Sequence, residues 1–283
     1  VTGVGGWTNH AKINHLFDEI DNLHFEFAPK GSRLGKLDWL QRKLLSLKPT
    51  VVWLFNHHQD SVAISAVQPD QGYQLKYLHH GDHHLCLGVF LEFGEHYDPH
   101  PMGFHNCRTV LMNKNNRYLP LVIDEPQLSS IVETNEKLVT CTAAGSNKIE
   151  HEYWPRYSNV IAEVLAHTGG SHIHIGRLSW LYRYQIKRQL HKQGVKSKAF
   201  IYIPYVKSVA SSLRYHKVDL YLASFPYAGA RTLVEVMAAG VPTAGHDHRS
   251  SRILGAIDML PPMSCVWVRV EQLIEFLTIE TRE

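Results

Sequence analysis

The chain has 283 residues, 44% hydrophobic and 19% charged, the composition of a globular protein with one large or two modest cores. A formal net charge of +3 is too small to argue for a nucleic-acid partner. Cys86, Cys107, Cys141 and Cys265 lie far apart without paired spacing, which argues against a zinc or disulfide framework and for a reducing, cytoplasmic setting.

In chain order, the N-terminal half predicts helices at about 10–20, 34–47 and 60–67, and strands at about 23–27, 50–55, 74–78 and 119–123. The aperiodic segment 125–137 is the expected linker between domains at 1–125 and 138–283. Beyond it, strands are predicted at 138–142, 172–176, 200–203, 220–223, 241–244 and 266–268. Helices fall between them, at about 151–167, 180–193, 207–216, 230–240, 249–257 and 270–280. Regular strand-helix alternation predicts an α/β parallel sheet covered on both faces, which binds ligands at the carboxyl ends of its strands. No apolar run reaches the ~18–20 residues of a membrane span. No basic-then-apolar leader is present, so neither a span nor a signal peptide is expected. The chain starts at Val1 and is short for two full nucleotide-binding domains, so an N-terminal piece is expected to be missing or disordered.

The most informative stretch is Ser224–His246. The apolar strand Asp219–Ala223 runs into Pro226-Tyr227-Ala228-Gly229-Ala230, Arg231-Thr232 open a helix, and Gly240-Val241-Pro242 ends it. A helix opened this way aims unpaired N–H groups and its positive dipole end above the turn, where an anion is stabilised. Gly229 and Ala230 allow close approach to the backbone.

This segment resembles the donor-binding motif of GT-B glycosyltransferases, in which a Gly-x-x-Thr turn opens a helix carrying an acidic residue, followed by Ala-x-Gly-Val-Pro. Within that superfamily it is most similar to the O-linked N-acetylglucosamine transferases and related bacterial protein glycosyltransferases. The resemblance implies two Rossmann-like domains with a cleft between them. It also implies that Arg231 and Thr232 sit at the diphosphate of a sugar nucleotide, with Glu235 near the ribose or sugar. Retaining members carry a second glutamate where this chain has Tyr227, so an inverting course is expected.

Two further stretches fit the same family. Cys141–Ile149 ends the first strand of the C-terminal half, and Lys148 matches the lysine that neutralises the donor diphosphate in those transferases. Seen alone it reads as a solvated loop lysine. A cation with helix-end N–H groups would stabilise a diphosphate leaving group without a metal. After Ile201-Tyr202-Ile203-Pro204, Tyr205 and Val206 match the positions that hold the nucleotide base, although a histidine found slightly later in the family is replaced here by Ser211.

Histidine is the other signature, with 20 in all. Asn56-His57-His58-Gln59-Asp60 follows one predicted strand, and His79-His80-Gly81-Asp82-His83-His84 follows the next, so both clusters are expected at one sheet edge facing the cleft. Any one of them reads most simply as a loop histidine bonded to backbone and water. As a pair they suggest chemistry. His80 or Asp82, or His58 from the neighbouring strand end, is suited to deprotonate an acceptor. The rival reading is a hydrolase metal site at His80, Asp82 and His83. The donor motif needs no metal, so no metal and no cofactor are expected.

The basic run Arg183–Lys198 reads as the solvated face of a helix, with anionic lipid or an acidic acceptor as the alternative. Val4–Asn9 resembles a phosphate loop without the strand and lysine that specify one. Together these readings predict a metal-independent, inverting glycosyltransferase using a UDP-sugar or related nucleotide sugar. Its acceptor would be a glycan, a protein or a lipid-linked molecule, and it would work in the cytoplasm or at the inner face of a membrane, with an oligomer or partner subunit allowed. A nucleotide-sugar epimerase and a non-catalytic sugar-nucleotide-binding subunit are the alternatives.

Overall fold

The computed structural model describes residues 21–79, 86–123 and 135–280. The chain divides into two units, Val1–Pro120 and Leu121–Glu283. The predicted helix at 10–20, the Val4–Asn9 loop and most of the predicted linker lie outside the described residues.

In the first unit, helix α1 (Arg33–Leu47) starts at Ser32, whose hydroxyl accepts the Gly35 N–H. Strands β1 (Val51–Leu54), β2 (Gln74–Leu78), β3 (Glu95–Asp98) and β4 (Asn116–Tyr118) form a parallel sheet in that order, with helices α2 (Ser61–Ala66) and α3 (Pro101–Thr109) between them. The core groups Leu54, Ala63, Val67, Leu75, Tyr77, Val89 and Cys107.

Three expectations are corrected here. The predicted strand at 23–27 is not formed, and Leu23, Phe25 and Phe27 are exposed; a strand needs a partner, and alternation alone does not supply one. The predicted strand at 119–123 is replaced by β4. Its ladder extends one bond further, from the Leu119 N–H to the Asp98 carbonyl, and stops before Pro120, which has no N–H to donate. Strand β3 and helix α3 were not predicted. The inward residues of β3 are His96 and Asp98, so the strand lacks an apolar signature.

The second unit is a six-stranded parallel sheet. Strands β5 (Val139–Ala143), β6 (Ser171–Ile175), β7 (Phe200–Ile203), β8 (Leu220–Leu222), β9 (Thr243–His246) and β10 (Cys265–Trp267) lie in the order β10-β9-β8-β5-β6-β7. Side chains alternate between faces, so each face of the sheet meets its own core. Helix α4 (Ser146–Ile149) follows β5 and is followed by α5 (Tyr157–Thr168) and α6 (Trp180–Lys192). Tyr157, Val160, Ile161, Val164 and Leu165 of α5, Ile186 and Leu190 of α6, and Leu273 and Leu277 of the last helix, α10 (Val270–Glu280), pack with Leu220, Leu222 and Phe200. The spacing of those α5 residues is that of one helical stripe. Helices α7 (Val209–Tyr215) and α8 (Ala230–Ala238) cover Cys141, Ala143, Ile173, Ile175 and Tyr221 on the opposite face. A short α9 (Arg252–Gly255) precedes β10.

Helix α5 begins six residues later than predicted, because Pro155 cannot sit inside a helix and biases Trp154 away from helical backbone. The predicted helix at 249–257 is likewise limited to α9 and a short 3₁₀ turn, Ile257–Met259. The basic run falls on α6 as far as Lys192, with Ile186 and Leu190 the buried residues of that helix, and Lys196 and Lys198 lie beyond its end. Among the described residues, no helix is long and apolar enough to cross a membrane.

Gly176, at the end of β6, has φ +124°, and a Cβ there would stand 2.1 Å from the Ala144 carbonyl oxygen. Gly169 caps α5 with φ +62° and open space around it. Gly169→Ala should therefore cost about 1–2 kcal/mol in urea unfolding, from the backbone alone. Gly176→Ala should cost distinctly more, because β5 and β6 must separate; equal costs would contradict this packing.

Candidate functional site

In the second sheet, β6 and β7 lie on one side of β5, whereas β8, β9 and β10 lie on the other. The loops after β5 and β8 therefore leave neighbouring strand ends in opposite directions, opening the crevice in which doubly wound sheets hold their ligands. At this point Lys148 Nζ, half-buried on α4, donates to the Ala228 carbonyl at 2.8 Å. The Tyr227 N–H lies 3.4 Å from the Lys148 carbonyl oxygen.

Gly229 is the N-cap of α8 and caps it with no side chain. A Cβ at Gly229 would stand 3.2 Å from Thr232 Oγ1 and 3.7 Å from Lys148 Nζ, so the glycine keeps the space between the lysine and the helix start open. Arg231 is largely exposed, with Nε 3.8 Å from Glu235 Oε1. The structure thus gathers Lys148, Gly229, Ala230, Arg231 and Thr232 around one turn. Glu235 has a structural task in addition: its Oε2 accepts the Val209 N–H at 3.1 Å, at the start of α7. Tyr205 and Val206 follow β7, at the far edge of the sheet; Tyr205 is exposed and Val206 packs against the core under α7 and α8.

A chain of buried polar groups ends at the Ala144 carbonyl, just past the end of β5. The His174 ring places Nε2 3.1 Å from the Ala144 carbonyl, and a carbonyl can only accept, so Nε2 carries the proton and Nδ1 accepts from the Tyr157 hydroxyl at 2.8 Å. Tyr157 then accepts from His172 Nε2 at 2.8 Å, and His172 Nδ1 accepts from Thr140 Oγ1 at 2.8 Å. Every donor in the chain meets an acceptor with both imidazoles neutral. Burial holds His172 well below its ordinary pKa and brings His174 down to about 4, outweighing its bond to Ala144.

A group of aromatic side chains that the sequence reading missed lies at the ends of β5, β8 and β9. Burial lowers the His246 pKa to about 4; its Nδ1 donates to the Trp267 carbonyl at 3.1 Å, and its Nε2 accepts from Tyr153 Oη at 2.8 Å. Tyr153 stacks on His248, with ring centroids 4.9 Å apart, and Tyr227 makes an edge contact with His151 at 4.7 Å. The signal was available: His246-Asp247-His248 stands at the carboxyl end of a predicted strand.

In the first unit, the Leu87 N–H bonds the His58 carbonyl at 3.1 Å, so the segments after β1 and β2 do meet at one edge. His57 and His58 have ring centroids 4.0 Å apart. Asp60 is a helix cap, its Oδ1 accepting the Val62 and Ala63 N–H groups. A groove of about 510 Å³ beside them is lined in part by Trp53, Phe55, Asn56, His57 and Asp60. His80 and Asp82, the two candidate bases, lie outside the described residues, as does the rival site's His83. His79, just before them, is buried with Nδ1 2.7 Å from Asp98 Oδ1. Burial lowers the His79 pKa, but Asp98, Cys107 and Cys86 together raise it to about 12.

The sequence matches no family model, and no curated protein matches it. Solved structures do match the fold. The chain resembles the lipopolysaccharide outer core galactosyltransferase WaaB, at a TM-score of 0.61 and 14% identity, over 87% of this chain and 70% of that one. It resembles Anabaena HepE in complex with UDP, at a TM-score of 0.62 and 11% identity, over 87% and 72% of the two chains. A putative UDP-N-acetylglucosamine 2-epimerase from Listeria monocytogenes matches at a TM-score of 0.61 and 12% identity, over 96% and 77%. The fold is that of the GT-B glycosyltransferases, with parallel α/β sheets.

The buried neutral histidines set a pH dependence. Unfolded histidine titrates near pH 6.5. Above that value neither state binds a proton at these sites, and below it only the unfolded chain does until the folded pKa is reached, so stability falls as pH falls. Each such histidine should remove about 1.4 kcal/mol per pH unit below 6.5. The denaturation midpoint of the second unit should therefore drop steeply from pH 6.5 to 5, and His174→Gln should shallow the slope. A flat profile would show that these rings are not held neutral.

Proposed function

We propose that the protein is a glycosyltransferase that moves a sugar from a nucleotide-diphosphate sugar, preferentially a UDP-sugar, to a hydroxyl or amide of a glycan, protein or lipid-linked acceptor. The observation that carries this reading is the turn at which Lys148, the Gly229-headed start of α8 and the exposed Arg231 converge, at the reversal of strand order. A diphosphate placed there would meet two cations and a helix N-terminus without a metal. Support comes from the structural neighbours, among them a galactosyltransferase and HepE in complex with UDP or UDP-glucose.

In the proposed reaction the acceptor atom attacks the anomeric carbon and its proton passes to the base. The bond from that carbon to the diphosphate oxygen breaks, and the oxygen keeps the electron pair beside Lys148 and Arg231. His80 or Asp82, with His58 as the alternative, serves as base. The absence of a second glutamate at Tyr227 favours inversion. Tyr205 and Val206 would hold the base of the nucleotide, Thr232 the diphosphate, and Glu235 the ribose or sugar. The epimerase reading is kept because one neighbour of equal TM-score bears that description.

Arg231→Ala should weaken UDP binding, measured by calorimetry, by roughly 1.5–3 kcal/mol while leaving unfolding unchanged. Lys148→Ala should cost at least as much, since it also releases the Ala228 carbonyl. If both variants bind every nucleotide sugar as the parent does, the donor site lies elsewhere.

Turnover provides a separate check. Replacing the true base among His58, His80 and Asp82 should lower transfer by about 10²–10⁴ with little change in donor affinity. Parental rates in all three single variants would remove the base from this cluster. Conversion of the donor sugar with no acceptor present would favour the epimerase.

A further inference from the structure

The inward face of the first sheet carries a group of side chains that transfer chemistry does not use. Pairing places Tyr77 beside His96, and the two-residue repeat of the strand places Asp98 on the same face as His96. His79 extends β2 by one rung, its N–H donating to the Tyr97 carbonyl. Cys107, near the end of α3, completes the group. His79, His96, Asp98 and Cys107 are all 5% exposed or less, and one donor atom from each lies within 4.8 Å of all the others.

Hydrogen bonds join His79, Asp98 and Cys107 but do not account for the whole group. His96 Nε2 stands 3.2 Å from Asp98 Oδ2 without the alignment of a hydrogen bond, and neither ring nitrogen of His96 nor Asp98 Oδ2 has a hydrogen-bond partner among the described residues. Leaving such groups unsatisfied in a core is costly. The separations, however, suit a shared ion. Ligands at tetrahedral zinc distances lie about 3.3–3.8 Å from one another. Cys107 Sγ is 3.5 Å from His79 Nδ1 and 3.7 Å from Asp98 Oδ1, and the His96–Asp98 contact is 3.2 Å. The 2.7 Å contact between His79 and Asp98 would open by roughly half an ångström to admit the metal. Two neutral imidazoles, one carboxylate and one thiolate carry a summed charge that a divalent cation cancels.

The geometry points to a structural zinc site made by His79, His96, Asp98 and Cys107, closed by four protein ligands and therefore without an open catalytic position. It adds an ion where the sequence alone predicted none, and it is independent of the donor site in the second unit. The thiolate and imidazoles favour zinc over magnesium or calcium, which prefer oxygen ligands. Its effect would be to fix β2, β3 and α3 to one another and to anchor the residue that precedes His80.

The test uses the full-length chain. Elemental analysis of purified protein should find about one zinc per chain. Protein stripped of metal should bind cobalt(II) with the intense visible bands of a four-coordinate ion and a sulfur-to-cobalt charge-transfer band. Cys107→Ser should abolish the charge-transfer band, while Cys265→Ser, in the other unit, should leave it unchanged. Loss of a true ligand should weaken zinc binding by more than the roughly 10–100-fold typical of losing a residue that only supports a ligand. If the parent chain carries no stoichiometric metal and the stripped chain binds cobalt only with a weak octahedral spectrum, the proposal is wrong, whatever the variants do. A charge-transfer band that survives Cys107→Ser would also overturn it.

Discussion

The bond from the Lys148 ammonium to the Ala228 carbonyl links the two loops that diverge at the reversal of strand order. Parallel strands end with their backbone groups facing the same edge, so the chain leaves each strand at that edge and must turn back along a helix. Where consecutive units go to opposite sides, the two exits separate and leave a crevice that no side chain of the sheet fills. A lysine across that gap holds the exits together and leaves a positive charge at its floor. Gly229 keeps a side chain from occupying the same space.

The buried polar chain of the second unit is built to stay uncharged. Thr140, His172, Tyr157 and His174 pass hydrogen bonds in one direction to the Ala144 carbonyl, and each ring nitrogen has a defined role. In a buried layer, a protonated imidazole would need a counter-ion, and none is placed there among the described residues. Neutrality has a second effect. It leaves Lys148, Arg231 and Glu235 as the charged side chains beside the turn.

The first unit handles buried polarity differently. Its inward strand residues are His96 and Asp98, with Cys107 packed over them, and the group does not resolve into a closed hydrogen-bond chain. A core that spends a strand face on such residues needs another source of cohesion, because His79, His96 and Asp98 displace apolar area that would otherwise be buried. The same composition hid the strand. Glu95-His96-Tyr97-Asp98 offers no apolar alternation, and Pro101 with His100 as N-cap gives only a weak sign of α3.

The amino-acid sequence by itself determined the second unit. Strands buried on both faces read as continuous apolar runs, and glycine and proline punctuate the helices between them, so these local signals place nearly every strand and α8 with its Gly229 start. The helix opening at Arg231-Thr232 is likewise a local pattern, whereas Lys148 by itself reads as a solvated loop lysine and was singled out only by resemblance. Tertiary structure alone decided which loops meet. That His246, Tyr153 and His248 share one surface, that Glu235 caps α7, and that His79 stands with residues 17 to 28 positions later all depend on strand order and register. The physical reason is that periodicity reports which face of an element is buried, whereas the identity of its neighbour is set by how whole strands pair.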